Sequence, residues 1–386
     1  MTTPAKKIAI NNSGGYLPGL NSVLLGVLRT AAHLNWDVVG IRDGFDGILF
    51  PERYSGDGLV QLSLELVETV LPSGTPLLGT ASSSDPYHVR TLTAENQVEE
   101  IDKSDELLRK LQDHNISAVI SVGGMQPLSI LLKLQRKGLN GICVPASVEN
   151  DVAATQLSFG FNSTLSCVVD LLENARHAAQ SSRKIGVVEV LGEHTGWLAL
   201  QAGIAVGADA VLLPEIPYDL RKVAKKLRSK FASGRQYALV VAAEGARCSS
   251  HSEPGPTAIA HASLKASLSP LATGAASAHV IQRSGHLAEA LALELQRLTD
   301  QQTYPLSLGQ LIKGGAPTAV DRQLGVAYGA AAVRAIRENQ RGVLVSFQPP
   351  KVKFVPLSEA INKIRTIPPN SLFIETARSL GICLGD

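Results

Sequence analysis

The sequence is short of methionine, cysteine and aromatic side chains: two Met, four Cys, and 4% Phe, Trp and Tyr in 386 residues. Each scarcity excludes something. Cys143, Cys167, Cys248 and Cys383 form no CxxC pair, so neither a disulfide framework nor a paired zinc site is expected. Cys248 and His251 make one CxxH pair, with no second pair at zinc-site spacing. Net charge is scarce as well. The 36 basic and 34 acidic side chains leave +2, which argues against nucleic acid as a partner. No run of about 18 apolar residues occurs, so no membrane helix is expected. The opening MTTPAKKIAINNSGG has an apolar stretch of only IAI, too short for a signal peptide. A reducing cytoplasm is the expected location.

What the sequence does have is glycine, 34 residues, and short apolar runs that end in glycine turns. KKIAINN, WDVVGIRDG, ISAVISVGG, GICVPAS, RKIGVVEVLG, AVLLPEI and YALVVAAEG alternate with helical stretches such as NSVLLGVLRTAAHL and VAKKLRSKFASG. Strand, glycine turn, helix, strand is the pattern of βαβ units and a parallel sheet. At roughly 150 residues per domain, two or three domains are expected. Residues 248–285 break the rhythm with Ser, Ala, Gly and Pro and read as a surface insertion.

Ligands of a parallel sheet lie at the carboxyl ends of its strands, so the loops there carry the chemistry. Asn12–Asn21 holds Gly14 and Gly15 between a strand and a helix, as a phosphate cradle or a plain tight turn. Leu78–Ser84 includes Ser82. Gly123, Gly124, Met125 and Gln126 again stand between strand and helix. Pro145–Asp151 offers Glu149 and Asp151, two carboxylates one residue apart. Val190–Trp197 follows, then Leu308–Pro317 with Asp321 and Arg322 beyond it.

The order and spacing of these loops resemble the phosphofructokinase family over nearly the whole chain. Where that family has SGGDxPGxN, LGTSR, GGDGS or GGDDS, PKTIDND or PGTIDND, FGFDTA, VMGRHAGW and LGHIQRGGSP, this chain has SGGYLPGLN, LGTASSS, GGMQP, PASVEND, FGFNST, VLGEHTGW and LGQLIKGGAP. The resemblance implies two Rossmann-like three-layer α/β/α lobes with mainly parallel sheets. The larger, phosphate-donor lobe is expected at 1–160 plus about 312–362. The smaller, sugar-phosphate lobe is expected at 161–311 plus about 363–386. The implied family reaction moves a phosphoryl group from ATP or pyrophosphate to C1 of fructose 6-phosphate, with Mg²⁺ as cofactor.

Several positions depart from the family pattern. The metal-holding Asp of GGD is Met125, and a thioether is a poor partner for Mg²⁺, which prefers oxygen. Pro127 removes an N–H, and Tyr16 replaces the Asp of SGGD. Ser82 or a neighbour replaces the donor-loop Arg. Gln126 and Ala146 match neither the ATP nor the pyrophosphate rule of the family. The base position is Glu149, one methylene longer than Asp, and its alternative is a solvated loop acid. Phe45 stands at an aromatic position beside adenine in some members, or is simply packed.

On the sugar-phosphate side the resemblance assigns Ser147, Leu191, Gly192 and Glu244, with Lys184 and Lys313 where Arg is usual, and Gln310 and Tyr304 where His and Arg are usual. Glu244 reads equally as a cap. Lysine holds phosphate as a point charge without the bidentate fork of arginine. Glu193 adds negative charge, and His194 is expected to pack or hydrogen-bond. Arg29 matches one arginine of the family's effector site and Leu25 replaces another.

Two functions follow. One is a degenerate homologue, a pseudoenzyme that binds sugar phosphate or serves as the regulatory partner of an active phosphofructokinase chain. The other is an active 6-phosphofructokinase of glycolysis with a remodelled donor pocket. The family implies a homodimer or homotetramer, in which basic residues are borrowed across a subunit interface.

Overall fold

The computed structural model describes residues 6–71, 74–81, 84–92, 97–249, 286–361 and 363–386. The insertion read at 248–285 lies outside them from residue 250 onward, as do Ser82 and His251. The chain divides into two compact units, Met1–Ser163 with Lys313–Arg365 and Thr164–Ile312 with Thr366–Asp386.

The first unit begins with β1 (Lys7–Asn12), β2 (Asp37–Ile41), β3 (Leu59–Gln61), β4 (Val89–Leu92), β5 (Val98–Ile101), β6 (Ile116–Gly123) and β7 (Gly141–Pro145). The second supplies β8 (Ile185–Val190), β9 (Ala210–Leu212), β10 (Ala238–Ala243) and β11 (Thr303–Ser307). The chain then returns to the first unit with β12 (Val343–Gln348) and β13 (Lys351–Pro356).

The large sheet has seven strands in the order β13-β12-β7-β6-β1-β2-β3. Its five central strands are parallel, and β13 and β3 run antiparallel at the edges. Both faces of β1, β6 and β7 are buried, which is why these strands read as continuous apolar runs. On one face, Ala9, Val119 and Cys143 join Leu107, Leu111, Leu128, Leu131 and Leu134 in a single apolar cluster. The other face is covered by the helices Leu20–Ala32 and Ala319–Arg337, which pack on each other. They approach so closely that a Cβ on Gly26 would fall 2.2 Å from the Val326 oxygen, and one on Gly329 2.2 Å from the Val23 oxygen. Only glycine permits that crossing. The strands β4 and β5 form a separate antiparallel ribbon.

The smaller sheet is wholly parallel, in the order β11-β8-β10-β9. Ile185, Val187, Val240 and Ala242 pack against Val223, Leu227, Leu291 and Leu295 of the helices Leu220–Ala232 and His286–Thr299. Among the described residues, no helix is long and apolar enough to cross a membrane.

Candidate active site

In the first unit the chain passes from β1 to β2 on one side, then returns to β6 on the other. At such a reversal the two connections leave in opposite directions and open a crevice at the carboxyl ends. The glycine loops border this point. Gly14 and Gly15 follow β1, while Gly123 ends β6 and Gly124 leads into the helix Met125–Arg136. The loops touch: a Cβ on Gly14 would lie 3.4 Å from the Gly123 Cα. The Ser13 N–H donates to the Val122 oxygen at 3.1 Å, and the Ser121 hydroxyl donates to that of Ser13 at 3.1 Å. The first N–H groups of a helix have no partner within it, which makes such a start favourable for phosphate.

The loop after β7 lies alongside, since the Ala146 N–H donates to the Gly123 oxygen at 3.1 Å. Ser147 organises it. Its hydroxyl donates to Asp151 Oδ1 and accepts the Glu149 N–H at 3.1 Å. Asn150 takes a left-handed φ of 55° and turns inward, where its Oδ1 accepts the Ser158 N–H at 2.8 Å. Glu149 and Asp151 thereby flank a buried residue and are themselves half-buried. The Leu78–Thr80 stretch is tied in by Asn12 Nδ2, which donates to the Gly79 oxygen at 3.0 Å.

Met125 is the first residue of its helix, and its side chain packs against the apolar cluster of the large sheet. Gln126 is exposed and Pro127 buried, within the first turn where a missing N–H is tolerated. The Tyr16 hydroxyl donates to the Gly74 oxygen at 2.6 Å.

The smaller sheet reverses between β8 and β11, with β10 and β9 on the other side of β8. Leu191 and Gly192 follow β8, Glu244 follows β10, and Gln310 lies just beyond β11, all at carboxyl ends. The Gly192 N–H donates to Glu244 Oε1 at 3.4 Å, and the Glu244 N–H donates to the Val190 oxygen at 3.0 Å. The Leu308 N–H donates to the Glu189 oxygen at 3.0 Å, which fixes where the Gln310 loop departs. Gln310 is exposed and Lys313 half-buried in the short helix Gly309–Lys313, where the division between the units falls.

Lys184 is not part of this edge. It precedes β8, at the amino end of the strand that carries Gly192 at its other end. Tyr304 belongs there too, paired with Gly186, and its hydroxyl donates to the Ala175 oxygen. Burial raises the Tyr304 pKa. His194, expected to pack or hydrogen-bond, is exposed.

Glu215 is the residue that sequence reasoning missed. Its carboxylate accepts Thr195 Oγ1 at 2.9 Å, the Gly196 N–H at 3.0 Å and the Ile367 N–H at 3.0 Å. It holds the Glu193–Gly196 loop at the start of the helix Trp197–Ala205. No local spacing signals a cap supplied from another strand's loop.

The Phosphofructokinase family model matches residues 7–336. The chain is 34% identical over 386 residues to the ATP-dependent 6-phosphofructokinase of Chloroflexus aggregans, covering 100% of this chain and 99% of that protein. The chain belongs to the phosphofructokinase family. It is also 32% identical to ATP-dependent 6-phosphofructokinase 2 of Clostridium perfringens, over the full length of both. Among solved structures, phosphofructokinase from Saccharomyces cerevisiae aligns with a TM-score of 0.69 at 26% identity, over 92% of this chain and 45% of that one. The pyrophosphate-dependent phosphofructokinase of Marinobacter aquaeolei aligns over 99% of this chain and 92% of that one, with a TM-score of 0.72 at 19% identity, a likeness of fold. The phosphofructokinase fold and its mainly parallel α/β architecture are thus established for this chain.

Against the phosphofructokinase pattern, the residues present do not fit a magnesium site at Met125. The thioether there is a soft, neutral group engaged with hydrocarbon, whereas Mg²⁺ requires oxygen ligands in near-octahedral array. Among the described residues, no group of three or more His, Cys, Asp or Glu side chains is placed to hold a metal ion. Phe45 is buried in the apolar cluster, where its N–H donates to the Ser84 hydroxyl oxygen at 3.0 Å. Arg29 forms an exposed ion pair with Glu68 at 2.8 Å.

Proposed function

We propose that this phosphofructokinase-family protein binds a phosphorylated sugar but transfers phosphate weakly or not at all. The placement of Met125 carries the reading. In phosphoryl transfer the protein contributes positioning and charge neutralisation, and little covalent chemistry. At the helix start beside the phosphate crevice, the side chain is apolar and half-buried against the cluster of the large sheet. Exposed Gln126 and buried Pro127 add no charge.

The sugar-phosphate assignments are Ser147, Leu191, Gly192, Glu244, Gln310, Lys313 and Lys184. The bond between Gly192 and Glu244 supports a formed edge in the second unit. Lys184 and Tyr304 support a homo-oligomer, because their place at the amino ends of β8 and β11 separates them from the Gly192 edge of their own chain. They would serve a neighbouring copy, or an active phosphofructokinase chain in a mixed assembly. A glycolytic family supports a cytoplasmic setting.

A second reading keeps the activity, with ATP or pyrophosphate as donor, Glu149 as base and Asp151 beside it. The Ser147 hydroxyl, which donates to the Asp151 carboxylate and accepts the Glu149 backbone N–H, ties both residues into one loop and favours it. An aldolase-coupled assay with fructose 6-phosphate and Mg²⁺, supplying ATP and pyrophosphate separately, decides between them. Turnover near an ordinary kcat, on the order of 10 s⁻¹, would overturn the degenerate reading. A thermal shift with fructose 6-phosphate alone tests the binding, and its absence would leave an inert scaffold.

A further inference from the structure

The first unit holds a cavity of about 670 Å³ whose lining includes none of the residues assigned above. Ala154, Thr155 and Gln156 form one wall, and the turn from β12 to β13 forms the other. Its size falls inside the range of roughly 300–1,000 Å³ usual for small-molecule sites.

The charge of the lining is one-sided. Lys351, Lys353 and Arg365 contribute to it, and no Asp or Glu does. Lys351 and Lys353 are two residues apart on β13, which places them on the same face of an edge strand. Both are exposed, and neither forms an ion pair among the described residues. Three positive charges brought around one cavity repel each other, so an anion between them is favoured.

The frame is fixed. The Arg365 N–H donates to the Asp151 oxygen at 2.8 Å, and its Nη1 donates to the Asn150 oxygen at 3.3 Å. The Gln156 N–H donates to the Phe347 oxygen at 3.0 Å, and the Phe347 N–H donates to Thr155 Oγ1 at 3.0 Å. Gln156 adds a neutral amide to the lining, and Gln348 Nε2 braces the frame by donating to Ser346 Oγ at 3.2 Å. No aromatic side chain lines the cavity, so there is no platform for stacking a base.

We propose that this cavity is a second anion site, which takes a small molecule bearing two or more phosphate groups. Arg365, held on the Asn150 oxygen, supplies fixed positive charge beside the cavity, and the two exposed lysines supply mobile point charges for the phosphates. The site stands independently of whether the chain transfers phosphate.

Isothermal titration calorimetry with inorganic tripolyphosphate on the full chain, in about 0.15 M salt to screen diffuse attraction, tests it. The expected result is a binding component weakened about tenfold or more in the pair Lys351→Gln and Lys353→Gln, as for loss of charge-assisted contacts. Both lysines are exposed, so the ligand-free melting temperature of that variant should match the parent. Glu149→Gln, on the catalytic-base loop, should retain the component. A control pair on the exposed face of the second unit, Lys222→Gln and Lys225→Gln, should also retain it. Equal binding by the parent and the Lys351, Lys353 variant overturns the proposal. So does equal weakening by the control pair, or no binding to the parent at millimolar probe.

Discussion

Lys184 and Gly192 stand at opposite ends of the same strand, β8, with the buried run Ile185–Val190 between them. Six strand residues span about 20 Å, too far for one bound sugar phosphate to touch both. If Lys184 serves a neighbouring copy, sugar-phosphate affinity depends on assembly. Titration of fructose 6-phosphate across a protein dilution series, with sedimentation in parallel, should show affinity falling as the oligomer dissociates. Lys184→Ala should lower affinity by about tenfold in the assembled state and abolish the concentration dependence. An unchanged dissociation constant in Lys184→Ala would remove Lys184 from the site.

Met125 presents a different balance. Replacing it with Asp removes a half-buried thioether from the apolar cluster but places a carboxylate in the first turn of a helix, where the dipole favours it. The packing loss is the larger effect. Met125→Asp is expected to cost about 1 kcal/mol in urea denaturation, the dipole offsetting part of the lost burial. The carboxylate also supplies an oxygen ligand that the parent lacks. Addition of Mg²⁺ should therefore raise the melting temperature of Met125→Asp and leave the parent unmoved. Equal metal response in both proteins would show that the thioether position is irrelevant to magnesium.

The central strands were legible because each is an apolar run closed by glycine or proline, as in Ile116–Gly123 and Gly141–Pro145. The loops at their ends were legible for the same reason. The side-chain directions were not. The family resemblance groups Lys184 with Gly192, whereas the course of β8 from Ile185 to Val190 sets them at opposite ends of the sheet, with Tyr304 paired to Gly186 at the Lys184 end. Met125 reads as a lost acid, but its burial depends on cluster partners such as Leu128 and Leu131. Glu215 serves Gly196 and Ile367, whose sequence separation leaves no periodic trace.

Asp321 shows the same long-range construction in the first unit. Fully buried, it accepts the Gly160 N–H at 3.0 Å and both the N–H and hydroxyl of Ser163 at 2.6 Å. Asp321→Ala strands three buried donors and is expected to cost about 3 kcal/mol in urea denaturation. Burial raises the Asp321 pKa, outweighing those donors, which lower it. The folded state then keeps this proton to higher pH than the unfolded chain. Its contribution to stability is present below the ordinary carboxylate range and is lost as pH rises through the raised value. Asp321→Asn cannot titrate, so the fall in stability with rising pH should flatten in that variant. An identical pH profile in both would assign the slope to other groups.

Gly245 sets the width of the Gly192–Glu244 edge. Its N–H donates to the Gly192 oxygen at 3.0 Å, and a Cβ at this position would lie 1.9 Å from the Glu193 oxygen. That atom is backbone, so it cannot swing aside as a side-chain tip could. Gly245→Ala must displace the Gly192–Glu193 segment, which Glu215 pins through Thr195 and Gly196. The strain is expected to cost about 1–3 kcal/mol, as for other overpacked sites. Displacing Gly192 also breaks its bond to Glu244, so the thermal shift produced by fructose 6-phosphate should vanish while the protein remains folded by circular dichroism. A full ligand shift in Gly245→Ala would show that sugar phosphate is not held at the Gly192–Glu244 edge.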